Sequence, residues 1–135
     1  MTPEQKKELV CRVLKGLLEQ SDFAGTAGNL SERIEWREPG DTFKGRQGHG
    51  LIRDVLARKD RLFPDGLEVR LHQVHCDGDT VIVELTNRGR TYSGRLYENE
   101  YCFVCDLDGE RIRRVTEYVD THKPKALLGM LGSAN

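Results

Sequence analysis

Residues Tyr97–Asp120 read YENEYCFVCDLDGERIRRVTEYVD. Two runs alternate their side chains with the period of a β-strand, and they flank Asp108-Gly109, a dipeptide suited to a tight hairpin turn. In the first run Asn99, Tyr101, Phe103 and Cys105 share one face, opposed by Glu98, Glu100 and Asp106. In the second run, Arg111 to Asp120, one face holds Val115, Glu117 and Val119, and the other Arg114, Thr116, Tyr118 and Asp120. The first of these faces is apolar apart from a single carboxylate, Glu117. A long hairpin with one apolar face must be covered by another layer to be stable.

Working outward, Leu67, Val69 and Leu71 alternate with charged or polar neighbours, Asp77-Gly78-Asp79 makes another hairpin turn, and Val81, Val83 and Leu85 form the return strand. Asn87-Arg88-Gly89-Arg90 reads as a break before the strand that starts near Arg95. Upstream the period changes to that of a helix. Leu9, Val10, Val13, Leu14, Leu17 and Leu18 recur at helical spacing, with Thr2 as N-cap, Pro3 at the first position and Gln5 completing a capping-box start, so a helix is expected to about Gln20. Ser21 and Asp22 can start a short second helix, and Leu51, Ile52, Val55, Leu56 and Leu62 define a third. Arg33 to Glu38 is a short strand with Ile34 and Trp36 on one face. Pro39-Gly40-Asp41 ends it. The glycine-rich run Phe43–Gly50 reads as a turn that launches the third helix. It lacks both a preceding apolar strand and the Gly-Lys-Ser/Thr ending of a phosphate loop. The order predicts an α+β fold with helices packed on one face of a curved sheet.

The chain has 135 residues, which fits one domain, with 6–123 as its ordered core and 124–135 as a loose tail. Lys plus Arg is 21 and Asp plus Glu 22, a balance that gives no reason to expect nucleic acid or an anionic membrane as partner. No run is apolar enough to span a bilayer and no secretory signal stands at the start, so the expected compartment is the cytoplasm. Cys102 and Cys105 have metal-type spacing, but in a strand residues three apart face opposite ways, and Cys11 and Cys76 are isolated; buried free thiols are expected. His49, His72, His75 and His122 show no ligand spacing. The expectation is neither metal nor cofactor.

The run from Tyr97 to Asp120, with Asn99-x-Tyr101, the aromatic strand, Asp108-Gly109-x-x-Ile112 and Glu117-Tyr118-x-Asp120, resembles the ending of the SnoaL-like branch of the nuclear-transport-factor-2-like superfamily. Trp36 with Pro39-Gly40, the Phe43-x-Gly45-Arg46 turn and Asp77-Gly78-Asp79 add to the likeness, which covers Lys6 to about Lys123. The resemblance implies an α–β cone, in which a strongly bent sheet wraps three helices around an apolar pocket. It also implies relatives in ketosteroid isomerase and polyketide cyclase, and homodimerisation through the outer sheet face. The fold hosts isomerases, cyclases, epoxide hydrolases and non-catalytic binders alike.

If the apolar faces line the cone, Glu117 sits among Tyr101, Asn99, Phe103 and Trp36. Leu85, Asn87, Val115 and Val119 then complete a binding surface for an apolar small molecule. Desolvation raises the pKa of such a carboxyl, which suits it to acid–base work, with Tyr101 or Asn99 holding a ligand oxygen. The alternative is that Glu117 pairs with Arg37 or Arg113 and the chain is a binding or dimerisation module. An unpaired Glu117 in a pocket of roughly 300 Å³ or more would favour catalysis. Asp120 reads as a structural or dimer-contact residue. By the resemblance, epoxide hydrolases of this fold need an Arg and an Asp where Leu85 and Asn87 stand. Cyclases need a histidine near Phe103, and steroid isomerases a tyrosine that the first helix lacks. The reaction and the substrate are therefore left open by the sequence.

Overall fold

The computed structural model describes residues 1–39, 45–120 and 122; the expected Gly40-Asp41 turn, the first part of the glycine-rich run and the tail lie outside them. Helix α1 spans Pro3–Leu18, and its start is a complete capping box between Thr2 and Gln5. Helix α2, Phe23–Thr26, begins on Asp22, whose side chain accepts from Gly25 N–H. Strand β1 follows at Leu30–Arg37, helix α3 at His49–Leu62, then β2 (Glu68–Asp77), β3 (Thr80–Arg90), β4 (Leu96–Asp108) and β5 (Arg111–Val119).

The five strands form one open sheet in the order β1-β5-β4-β3-β2. Three consecutive hairpin-type pairings are antiparallel, while β1 runs parallel to β5 with Trp36 beside Val115 and Arg37 beside Thr116. The apolar face of α1 (Val10, Val13, Leu14, Leu17) and that of α3 (Leu51, Ile52, Leu56) pack with Val81, Val83, Leu85, Phe103, Cys105 and Val115 into one core. Each fully buried aliphatic side chain there stabilises by about 1.5–3 kcal/mol. No helix among the described residues is long and apolar enough to cross a membrane. Cys11, Cys76, Cys102 and Cys105 are free thiols.

Several sequence expectations shift. β1 starts at Leu30, not Arg33, and ends at Arg37. The break expected at Asn87–Arg90 is absent, since β3 pairs with β4 without interruption from Thr80 to Arg90. Gly89 is there because of a close approach: a Cβ at this position would lie 2.7 Å from Gly66 O and 2.9 Å from a Leu67 methyl. Asp106 does face away from the cone, yet it is buried. It accepts from Thr80 Oγ1 at 2.9 Å and from Arg114 Nε at 3.0 Å, the residues beside it on the flanking strands. Leu107 returns to the core by alternation, and a register shift that skips Arg113 pairs it with Ile112, also in the core.

The Gly89 contact is testable. Gly89→Ala should destabilise the fold by about 1–3 kcal/mol and lower the melting temperature by several degrees, because the obstructing atom is backbone. An unchanged thermal midpoint by circular dichroism would contradict the close approach.

Candidate functional site

A cavity of about 150 Å³ lies between the inner face of the sheet and helices α1 and α3. That is about the volume of an engineered apolar cavity that accepts benzene. It is half the size at which the sequence reading would favour catalysis. Its sheet wall carries Trp36, Glu38, Asn87, Tyr97, Tyr101, Glu117 and Val119; its helix wall includes Leu17, Leu18, Val55, Leu56 and Lys59.

Strand register places the acid. In β5, Val115 and Glu117 share the inner face. Phe103 of β4 stands beside Glu117, and the parallel ladder puts Trp36 beside Val115. One step past the last paired residues, Arg37 and Thr116, the ladder brings Glu38 alongside Glu117. Glu117 is only 9% exposed. Burial pushes its carboxyl well above the ordinary glutamate range, and the facing Glu38 carboxyl pushes it further; the Trp36 indole N–H, directed at it, opposes the shift. Among the described residues no ion pair reaches Glu117. Arg37 and Arg113 are both exposed, so the arginine pairing considered above is not formed.

Tyr101 stacks parallel to Phe103 with ring centroids 5.6 Å apart, and Phe103 meets Trp36 edge-on at 6.1 Å. The Tyr101 hydroxyl is 2.5 Å from that of Tyr97, and Asn99 Nδ2 donates to the Tyr97 oxygen at 3.1 Å and to Asp120 O at 3.0 Å. Asn99 donates to the Tyr97 oxygen, and the bond between the two hydroxyls can run either way, so one phenol proton of the pair is not used in it. Burial pushes both phenols up, Tyr101 strongly, so both are neutral donors at ordinary pH.

Two polar atoms complete the wall. Trp36 Nε1 and Asn87 Oδ1 are buried without a hydrogen-bond partner of proper geometry. Such orphans are rare in a packed interior and call for a specific reason.

Of the residues singled out from sequence, Glu117, Tyr101, Trp36, Asn87 and Val119 meet at the cavity. Leu85, Phe103 and Val115 are fully buried and back the wall rather than line it. Asn99 is buried one step behind Tyr97 and does not reach the cavity. Sequence reading missed Glu38, Tyr97 and Lys59. Glu38 has the same strand parity as Ile34 and Trp36, and Lys59 follows Ile52, Val55 and Leu56 on one helix face, so alternation and helical spacing held the signal.

The sequence profile of the SnoaL-like domain matches residues 12–115. The chain belongs to the SnoaL-like family. Among solved structures it is similar to TerC co-crystallised with polyporic acid, with 20% identity, TM-score 0.77, and 92% of this chain and 98% of that one covered. A protein assigned as a polyketide cyclase from Acidithiobacillus ferrooxidans matches at 16% identity and TM-score 0.77, covering 92% and 94%. An LEH-like epoxide hydrolase from M. tuberculosis matches at 23% identity and TM-score 0.73, covering 96% and 93%. At these identities the likeness is one of fold, an NTF2-like cone with an open sheet. No curated protein matches the chain.

The raised pKa of Glu117 makes a stability prediction. An acid whose folded pKa lies above its unfolded value binds more protons when folded, so stability falls as pH rises from the unfolded pKa towards the folded one. Glu117→Gln removes that loss. The variant should match the wild type near the unfolded pKa and become the more stable of the two as pH rises above it, by up to about 1.4 kcal/mol per pH unit until the folded pKa is passed. Urea unfolding at several pH values checks this; a difference that does not change with pH would contradict it.

Proposed function

We propose that the cavity binds a ring-sized, largely apolar molecule and that Glu117 moves a proton on it without a cofactor, as an isomerase or cyclase does. The observation that carries this reading is Glu117 itself, a buried carboxyl on the cavity wall with no cation paired to it among the described residues. Desolvation and the Glu38 carboxyl push the Glu117 carboxyl well above the ordinary glutamate range, which suits it to act as an acid, or as a base once its proton has moved. With Tyr97 as the donor of the shared bond, the Tyr101 O–H suits a carbonyl or hydroxyl oxygen, and Trp36 N–H and the Asn87 carboxamide supply a further donor and acceptor for ligand polar atoms. Asn99 acts as a positioning residue through Tyr97. The co-crystallisation of TerC with polyporic acid supports small-molecule binding by this fold.

The small volume favours a second reading, a non-catalytic ligand-binding module of the same family. Exchange of the α-protons of cyclohexanone in D₂O, followed by NMR, separates the two. Under the catalytic reading the wild type exchanges them about 100-fold or more faster than Glu117→Gln, within the usual contribution of one acid–base group. Equal rates, with cyclohexanone still perturbing Trp36, would leave the binding module.

The proposal includes a homodimer formed through the outer sheet face, in the reducing cytoplasm, where the four cysteines stay thiols. That face exposes Tyr118 at 44%. Sedimentation velocity should report a dimer that Tyr118→Arg shifts towards monomer. A monomeric wild type at micromolar concentration would contradict this part.

A further inference from the structure

Lys59 lies on the helix wall of the same cavity, in the last turn of α3, and its side chain is only 10% exposed. Its Nζ donates to Leu18 O at 2.8 Å, which satisfies a carbonyl at the end of α1. Asp60 Oδ1, which accepts from Ser21 Oγ, forms a loose ion pair with Nζ at 3.6 Å and is itself about half exposed. An ammonium group has three donors, so this capping contact accounts for one of them. The Asp60 pair is too long for a strong hydrogen bond, so donors of the buried ammonium remain for a closer partner in a mainly apolar enclosure. Burial pushes the Lys59 pKa down, with Asp60 offsetting only part of the shift. An arriving anion would reverse that imbalance.

The sheet wall presents the opposite chemistry, with Glu38 and Glu117 facing each other and no cation paired to Glu117 among the described residues. A ligand anion set against that wall would be repelled by Glu38, whereas on the helix wall it meets Lys59. We infer that the cavity takes a ring-sized organic anion, with its carboxylate or other ionised oxygen on Lys59 Nζ and its ring against Trp36 and Tyr101. The inference rests on the reading of this cavity as a ligand site and adds the charge class of the ligand.

Trp36 is the only tryptophan, so its fluorescence reports occupancy directly. Benzoate and benzyl alcohol serve as probes, equal in ring and close in size but different in charge. Wild type should bind benzoate about tenfold or more tighter than benzyl alcohol, as a charge-assisted hydrogen bond to the amine requires. Lys59→Met should lose that preference and keep its affinity for benzyl alcohol. Lys59→Gln, which retains a donor for Leu18 O, should do the same and serves if the Met variant fails to fold. Benzyl alcohol bound as tightly as benzoate by the wild type, or a benzoate preference that survives both substitutions, would overturn the anion assignment while leaving the cavity a ligand site. If neither probe perturbs Trp36 in the wild type, the ligand-site reading falls and this inference with it.

Discussion

The parallel pairing of β1 with β5 is the contact on which the rest of the architecture depends. It joins an early strand to the last one and turns a run of antiparallel hairpins into a mixed sheet with β5 in its interior. The inner face of β5 then has neighbours on both sides, Trp36 and Glu38 from β1 and Phe103 and Tyr101 from β4. Without β1, Glu117 would stand on an edge strand with access to water and lose the burial that raises its pKa. Helices α1 and α3 complete the enclosure by covering that face, and the space they leave unfilled is the cavity.

Within that enclosure polar groups are placed in ways a purely structural core would avoid. Among the described residues two carboxyls face one another, an indole N–H and a carboxamide oxygen lack a hydrogen bond of proper geometry, and a buried lysine holds one carbonyl and a loosely paired carboxylate. Each arrangement costs stability on its own, and together they surround a single space. Elsewhere the same chain satisfies its polar groups closely. Asp106 is met by Thr80 and Arg114, and Asn99 by Tyr97, Asp120 and Glu100. Local rules that hold throughout a fold and lapse at one place mark that place as the functional one.

Much of this was legible in the residues. The capping box at Thr2, the helical spacing from Leu9 to Leu18 and the Asp-Gly turns depend on local chemistry, so α1 and the hairpins could be read directly. Alternation alone put Glu117 on the inner face of the last strand. What could not be read was long-range or irregular. The β1–β5 ladder joins segments far apart in sequence, so nothing near Glu38 signalled its carboxyl neighbour. Gly89 looked like a break because its reason, the carbonyl of Gly66, belongs to another part of the chain. Alternation assigns faces but not depth, which is why Phe103, Leu85 and Val115 were grouped with the lining although they lie behind it.

The central claim is that burial beside a second carboxyl, with no cation paired to it among the described residues, holds the Glu117 carboxyl well above the ordinary glutamate range. Carbon-13 NMR of the glutamate side-chain carboxyls, with the Glu117 resonance assigned by its absence in Glu117→Gln, measures this directly. The account predicts a Glu117 midpoint well above the ordinary value of 4.5. A midpoint at or below 4.5 would mean that the carboxylate is solvated or ion-paired, and would contradict the account.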